Sequence, residues 1–451
     1  MQGPDPMTQT LTTGPVARRL REQSAPMAMG LLAIFSFEAV DLLFISRLGV
    51  EALAAASFVL PVIWLMAAIG IGIETGASSC VSRAVGQRDG RLARRLTTDS
   101  VVLGSVAASI VCVIGLATIR PLFTTLGASA ETLPLIEQYM GVWYFVEPVA
   151  TALWTSLATI RARGNTLFEG KVITVAALLN AMLDPILIFG WLGFPALGIR
   201  GAAIASLIAY LVMLAFTVIY LIRHLEVMAS PFAPLRELLD SARQILTIGA
   251  PATITHSIAP ISHAIAVAMA ATYGVNAVAG FGIGMRIEAI ALIPFLALAV
   301  VSSPFFGQNF GAGLYDRLSE ARGVSLWFCL GFGLLLTVGL DLAADPLASL
   351  FTDSAAVRQV TVEFIWIVSA TYGAYGLAMV AIDSFNGLGA PIPATTLSIL
   401  AILIFLPLAV LGRELFGLNG LFGAIAVANV LTGWAAYYWL GRRLRSLSGS
   451  R

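Results

Sequence analysis

Long apolar runs broken by short polar stretches divide the chain into twelve segments. They lie near 25–46, 53–73, 98–119, 134–160, 172–189, 201–222, 245–272, 277–303, 324–342, 360–382, 394–411 and 421–440. Each is close to the roughly 20 residues that a helix needs to cross the hydrocarbon core of a bilayer. The runs do not alternate apolar with polar positions, as the strands of a membrane barrel do. The pattern predicts an all-α polytopic membrane protein with twelve transmembrane helices.

Composition agrees. Of 451 residues, 58% are hydrophobic and 11% are charged, against about 25% charged in a soluble domain. Water is therefore not the main solvent of this surface. The three cysteines, Cys80, Cys112 and Cys329, are scattered in or beside apolar runs. Neither a disulfide framework nor a metal-binding spacing emerges, and all three read as small buried hydrophobes. The N-terminal tail has no small-residue cleavage pattern, so the first apolar run is expected to stay as a membrane helix.

Arginine placement sets the orientation. Threading the twelve runs with a cytoplasmic N-terminus leaves the Arg83–Arg95 loop, the Arg223–Arg243 stretch and the C-terminal Arg442–Arg445 on the inner side. The outer side keeps few basic residues, among them Arg120 and Arg358. This positive-inside bias predicts both termini in the cytoplasm of a bacterial inner membrane.

The chain repeats itself with an offset near 225 residues. Ala25-Pro26 recurs as Ala250-Pro251, and Leu48-Gly-Val-Glu-Ala-Leu-Ala54 as Tyr273-Gly-Val-Asn-Ala-Val-Ala279. Gly86-Gln87 returns as Gly307-Gln308, and Gly198-Ile-Arg-Gly201 as Gly417-Leu-Asn-Gly420. Six helices per repeat is an even number, so both halves enter the membrane in the same direction, as in parallel-repeat transporters. The expected organisation is a cytoplasmic tail (1–23), a six-helix bundle (24–223), a linker (224–244), a pseudo-symmetric second bundle (245–441) and a C-terminal tail (442–451).

Enzyme motifs are missing. The stretch 164–171 has wrong spacing for a phosphate loop, and Val172 stands where Ser or Thr is required. The glycines from Gly70 to Gly76 fall inside a span and read as close helix packing. No enzymatic activity, cofactor or nucleic-acid partner is expected, and uphill transport would draw on an ion gradient.

Candidate chemistry lies in the polar residues of the runs. A charge at a helix centre costs about 2.5–3.5 kcal/mol even on the lenient insertion scale, so each one needs a reason. Glu38 and Asp41 share a face of the first helix, and Asn180 and Asp184 a face of the fifth, just before Pro185. Carboxylates, an amide and a carbonyl freed by proline make a hard-oxygen set suited to a small cation or a proton. Glu147, before Pro148, is a candidate lining group, as are His256 and His263 on the seventh helix. Arg286 and Glu288 read as charge-balancing groups, Asp383 as a helix-end group, and Glu74 as an arginine partner.

Leu48-Gly49 with Ala52-Leu53-Ala54, Ser82-Arg83-Ala84-x-Gly86, Asn180-x-x-x-Asp184-Pro185 and Gly198-x-x-Gly201-Ala202-Ala203 resemble the MATE (multidrug and toxic compound extrusion) family. The resemblance runs from about Arg18 to Arg443. It implies a cation-coupled antiporter of organic compounds, with a protonatable first-helix Asp that corresponds to Asp41. The fifth-helix pair carries over to Asn180 and Asp184, and a sixth-helix hydroxyl to Ser206. The NorM-like branch has an acidic residue in the seventh helix; 245–272 contains none, which favours the DinF-like branch. The expectation is efflux in exchange for H+ or Na+, with Na+ held by Asp41, Asn180 and Asp184. Partners would be small organic substrates and the lipid bilayer, with the monomer as functional unit. The alternatives are a lipid-linked oligosaccharide flippase of the same superfamily and an uncoupled channel or receptor.

Overall fold

A computed structural model describes residues 11–449. Its helices are α1 (Val16–Ser46), α2 (Val50–Gly86), α3 (Gly90–Thr125), α4 (Leu133–Arg161), α5 (Thr166–Phe189), α6 (Ile199–Ile219), α7 (Leu235–Ala271), α8 (Val275–Ala291), α9 (Ile293–Gly311), α10 (Tyr315–Ser349), α11 (Ala355–Val368), α12 (Tyr372–Gly387) and α13 (Pro391–Ser448).

Twelve spans are distributed over these thirteen helices. The eighth is split into α8 and α9 at Leu292, where Pro294 opens α9 in the first turn that tolerates a missing amide hydrogen. The tenth is α11 and α12 joined by a 3-10 turn at Ser369–Thr371. The last two are merged in α13, which is broken at Gly417 by a backbone of φ 62 and ψ −141. Among the helices, α4 is not counted among those apolar enough to cross a membrane by length and composition. Its aromatic, hydroxyl and acidic residues lower its hydropathy.

The chain forms two compact units, of which Pro26–Thr253 is the first and Leu11–Ala25 with 254–449 the second. In the first unit, α2 meets α7 through glycines. A Cβ on Gly72 or Gly76 would overlap the α7 backbone at Gly249 or Ile245, so these glycines permit the close approach expected of small residues between membrane helices. Tyr144, fully buried on α4, fills the space that Gly115 leaves on α3. In the second unit, Phe281, Phe364 and Phe422 lock α8, α11 and α13 together, with ring centroids 5.2 to 5.6 Å apart. Asn309 and Arg317 donate hydrogen bonds to the carbonyls of Leu11 and Gly14, at 2.7 to 3.1 Å, and fasten the segment before α1.

The repeat is written in the backbone as well as the sequence. Gly49 and Gly274 precede α2 and α8 with φ 115 and 97. Gly198 and Gly417 share an unusual conformation, φ 57, ψ −140 against φ 62, ψ −141. That region of positive φ is open to glycine and costly for residues with a Cβ.

Candidate functional site

The carboxylates of the first unit gather around α5. Asp184 is fully buried and Asn180, one turn before it, is 3% exposed. In the amide orientation that satisfies its neighbours, Asn180 donates to Asp184 Oδ2 at 2.9 Å and to Oδ1 at 3.3 Å. Its carbonyl oxygen accepts from the backbone N and Oγ of Ser206 on α6, at 3.0 and 2.9 Å. The orientation is assigned from this network, as amide orientations are. Three predicted residues, Asn180, Asp184 and Ser206, thus form one hydrogen-bonded set.

Asp41 on α1 lies within electrostatic range of Asp184. Its Oδ1 is shielded from solvent and has no hydrogen-bond partner. A buried acceptor without a donor costs about 1–3 kcal/mol. Such an atom is ready to take a proton or a cation. Glu38, one turn earlier on α1, lies near Asp41 but its side chain is exposed. Two tyrosines that hydropathy does not distinguish join the cluster. Tyr139 on α4 stands within range of Asp41 and Asp184, and Tyr210 on α6 within range of Glu38, Glu147 and Asp41.

Glu147 is buried and accepts from Thr151 Oγ1 at 3.4 Å. It lines a narrow cleft, too tight to hold a water molecule, with Met66, Gly70, Gly104 and Thr151. Toward the arginine-rich end of the unit, Glu74 pairs with Arg161 Nη2 at 2.6 Å, as expected, and Arg161 also binds Glu169, which the sequence reading did not single out. Among the described residues no three His, Cys, Asp or Glu side chains converge as a metal-binding group. The donors at Asp41, Asn180, Asp184 and Ser206 instead combine two carboxylates with an amide and a hydroxyl.

The remaining candidates lie in the second unit. His256 is partly buried with Nε2 unpartnered, whereas His263, seven residues on, is exposed. Arg286 is exposed, and Glu288 is buried beside Tyr372 and Tyr375 of α12. Asp383 sits near the end of α12, partly buried.

A model of the MatE family matches the chain twice, at residues 26–186 and 251–411. The chain is 35% identical over 430 residues to an FAD transporter of Shewanella oneidensis, covering 95% of both chains. It is 24% identical over 427 residues to the multidrug export protein MepA of Staphylococcus aureus, covering 94% of this chain and 93% of that one. Among solved structures, the MATE transporter VcmN of Vibrio cholerae in its bent form matches with a TM-score of 0.90 and 31% identity, over 96% of this chain and 97% of that one. The two matched segments begin 225 residues apart, the offset of the internal repeat, and each starts at the proline of an Ala-Pro pair. The protein belongs to the MATE family of membrane transporters.

Proposed function

We propose that the chain is a secondary active exporter that exchanges an organic compound for H+ or Na+ by alternating access. Asp41, Asp184 and Asn180 form its coupling site. The observation that carries this reading is the shielded, partnerless Asp41 Oδ1 within electrostatic range of the hydrogen-bonded Asn180–Asp184 pair. Two carboxylates that close repel each other when both are charged, so a proton or cation stabilises the set by removing that repulsion. A conformation of α1 that brings Asp41 to the pair is then favoured in the loaded form. Any substrate that prefers the other conformation is linked to the ion, because coupling is reciprocal. One charge moving through 100 mV supplies about 2.3 kcal/mol, which corresponds to roughly a 50-fold concentration ratio. The arginine distribution supports cytoplasmic termini and residence in a bacterial inner membrane, and the absence of Asp and Glu from 245–272 supports the DinF-like branch.

For the substrate, the names of MepA and YoeA favour a range of organic compounds. A second reading, export of FAD, is favoured by the transporter that is 35% identical over nearly the whole chain. The test is pH- or sodium-gradient-driven flux in proteoliposomes with ethidium and with FAD, on the parent protein and on Asp41→Asn. The substitution keeps shape and removes a buried charge, so insertion is preserved. We expect gradient-driven flux in the parent and none in the variant, with equilibrium substrate binding retained. An Asp41→Asn protein that pumps at the parent rate would overturn the assignment.

A further inference from the structure

The arginines of the basic loops and tails fall into two groups. Arg95 pairs with Asp99, and Arg161 with Glu74 and Glu169. Arg163 and Arg317 direct their donors at carbonyl and side-chain oxygens of the protein. Arg322 and Arg445, both in the second unit, belong to none of the ion pairs among the described residues.

Arg322, near the start of α10, reaches across to α13. Its guanidinium lies over the ring of Tyr437, with Cζ 3.7 Å from the ring centroid, and its Nε donates to Tyr437 O at 3.2 Å. One turn further along α13, Gly441 leaves it room. A Cβ there would lie 2.5 Å from Cζ, 2.7 Å from Nη2 and 2.9 Å from Nε. Stacking on an aromatic face fixes the plane of the arginine fork before any ligand arrives. Nε is engaged, whereas Nη1 and Nη2 have no protein acceptor among the described residues.

A second guanidinium stands beside the first. Tyr437, Gly441 and Arg445 are spaced four apart, so they line one face of α13 in steps of about 6 Å. Arg445 is exposed and within electrostatic range of Arg322. Like charges so placed repel each other. Glu320, the acid nearest to Arg322 in sequence, is two residues away and so on the opposite side of α10, where it lies within range of Arg317. Two guanidiniums with free donors and no carboxylate between them suit an anion that offers several oxygens.

The depth of the pair selects the anion. The apolar run of α10 begins near 324 and the last run of α13 ends near 440. Both arginines therefore lie just outside the hydrocarbon, within about 8 Å along their helix axes. Trp434 and Tyr438, 47% and 61% exposed, occupy the last turns of the α13 run, and such amphipathic rings gather at the membrane–water interface. Trp434 also packs edge-on against Tyr437, with ring centroids 6.2 Å apart. Lipid phosphates lie at this level, and basic pockets between membrane helices hold headgroups.

We propose that Arg322 and Arg445, seated by Tyr437 and Gly441, bind the phosphate of an anionic phospholipid in the leaflet that borders this end of the second unit. Nη1 and Nη2 of Arg322 donate to two phosphate oxygens, and Arg445 closes on the same group from the adjacent turn. The acyl chains lie back along the aromatic face of α13. A choline headgroup carries its own ammonium, which the arginines repel, so phosphatidylglycerol is preferred over phosphatidylcholine. The site does not depend on the antiport reading above.

The test is native mass spectrometry of the full-length protein in neutral detergent, titrated with phosphatidylglycerol or with phosphatidylcholine of the same acyl chains. We expect the parent to bind phosphatidylglycerol about fivefold more tightly or better, on the scale of one arginine at an anionic surface. Arg322→Gln and Arg445→Gln should each remove that preference. Gly441→Ala keeps every charge and displaces only the end of the Arg322 side chain, so the fold survives. It should weaken phosphatidylglycerol binding as much as Arg322→Gln does. Arg443→Gln removes the same charge from an exposed position on the opposite side of α13 and should bind as the parent does. Thermal unfolding midpoints without added lipid check that each variant is folded. Equal affinity of the parent for the two lipids would overturn the proposal. Parent-like binding by Gly441→Ala, or an Arg443→Gln as weak as Arg445→Gln, would reduce the site to diffuse charge and overturn it too. Displacement of phosphatidylglycerol by millimolar inorganic phosphate would assign the arginines to a soluble anion instead of a lipid.

Discussion

The two units share a backbone plan and differ in what they bury. Gly49 and Gly198 in the first unit hold the conformations that Gly274 and Gly417 hold in the second. With the 225-residue offset of the flanking repeats, Glu38 and Asp41 fall on His263 and Ala266. The α5 segment bearing Asn180 and Asp184 corresponds to the first part of α13, and 399–411 there has no acidic or amide residue. The second unit keeps its buried carboxylate elsewhere, at Glu288 beside Tyr372 and Tyr375. The comparison teaches that positive-φ glycines and close glycine contacts are kept in both units, while the buried polar side chains are free to differ. A duplicated fold can be asymmetric in its chemistry.

The largest effect should come from moving charge out of the first unit. Asp184→Asn is expected to abolish gradient-driven flux, a loss of at least about 100-fold on the scale of proton-transfer groups. Glu288→Gln in the second unit should retain at least half of the parent rate. Flux in proteoliposomes, normalised to the amount reconstituted, checks both. Inactive Glu288→Gln beside active Asp184→Asn would reverse the comparison.

Much of this was legible in the sequence, for physical reasons that differ by residue. Span number and repeat follow from hydropathy and from glycine spacing, since a membrane forces helices to close their own hydrogen bonds. Asp41, Asn180 and Asp184 stood out because charge and amide are costly in a span. Tyr139 and Tyr210 did not, because an aromatic in a membrane helix is ordinary and only the packing of α4 and α6 brings these two to the carboxylates. The i, i+3 spacing of Glu38 and Asp41 gave a shared face without revealing that Glu38 is exposed. The position of Glu74 beside the basic loop points to an arginine partner, and Arg161 is that partner, but its link through Arg161 to Glu169 joins α2, α4 and α5, and no local pattern shows such a contact. The breaks at Leu292 and Ser369–Thr371 were missed because apolar residues continue through them.

The next effect sharpens the likeness of the units. Gly201 and Gly420 occupy matching positions after Gly198 and Gly417. A Cβ on Gly201 would lie 2.5 Å from Leu187 O, and one on Gly420 would overlap Gly412 O. Both contacts are with backbone, which yields poorly. Gly201→Val and Gly420→Val should each destabilise by about 1–3 kcal/mol, as overpacking does. Both should lower the thermal unfolding midpoint of the purified protein, with Gly420→Val the more damaging. A variant with an unchanged midpoint would show that its close approach is not required.

The smallest effect should come from the histidines of α7. His256 Nε2 is buried and unpartnered, which resembles Asp41 Oδ1 and makes His256 the natural rival for a coupling role in the second unit. The likeness stops there. Asp41 faces a second carboxylate whose repulsion a proton relieves, and α7 has no Asp or Glu between Ile245 and Thr272. A protonated imidazole at His256 would therefore gain no acidic partner from its own helix, and burial without one disfavours the charged form. His263 takes the position of Glu38 but is exposed, so its replacement removes little packing. His256→Gln and His263→Gln should each change gradient-driven flux by less than about twofold, the range of surface and lining substitutions that leave the machinery intact. The measurement is the pH profile of flux as well as its rate. A profile displaced by His256→Gln, with normal protein abundance, would place a titrating group of the coupling cycle on α7 and end the asymmetry argued here.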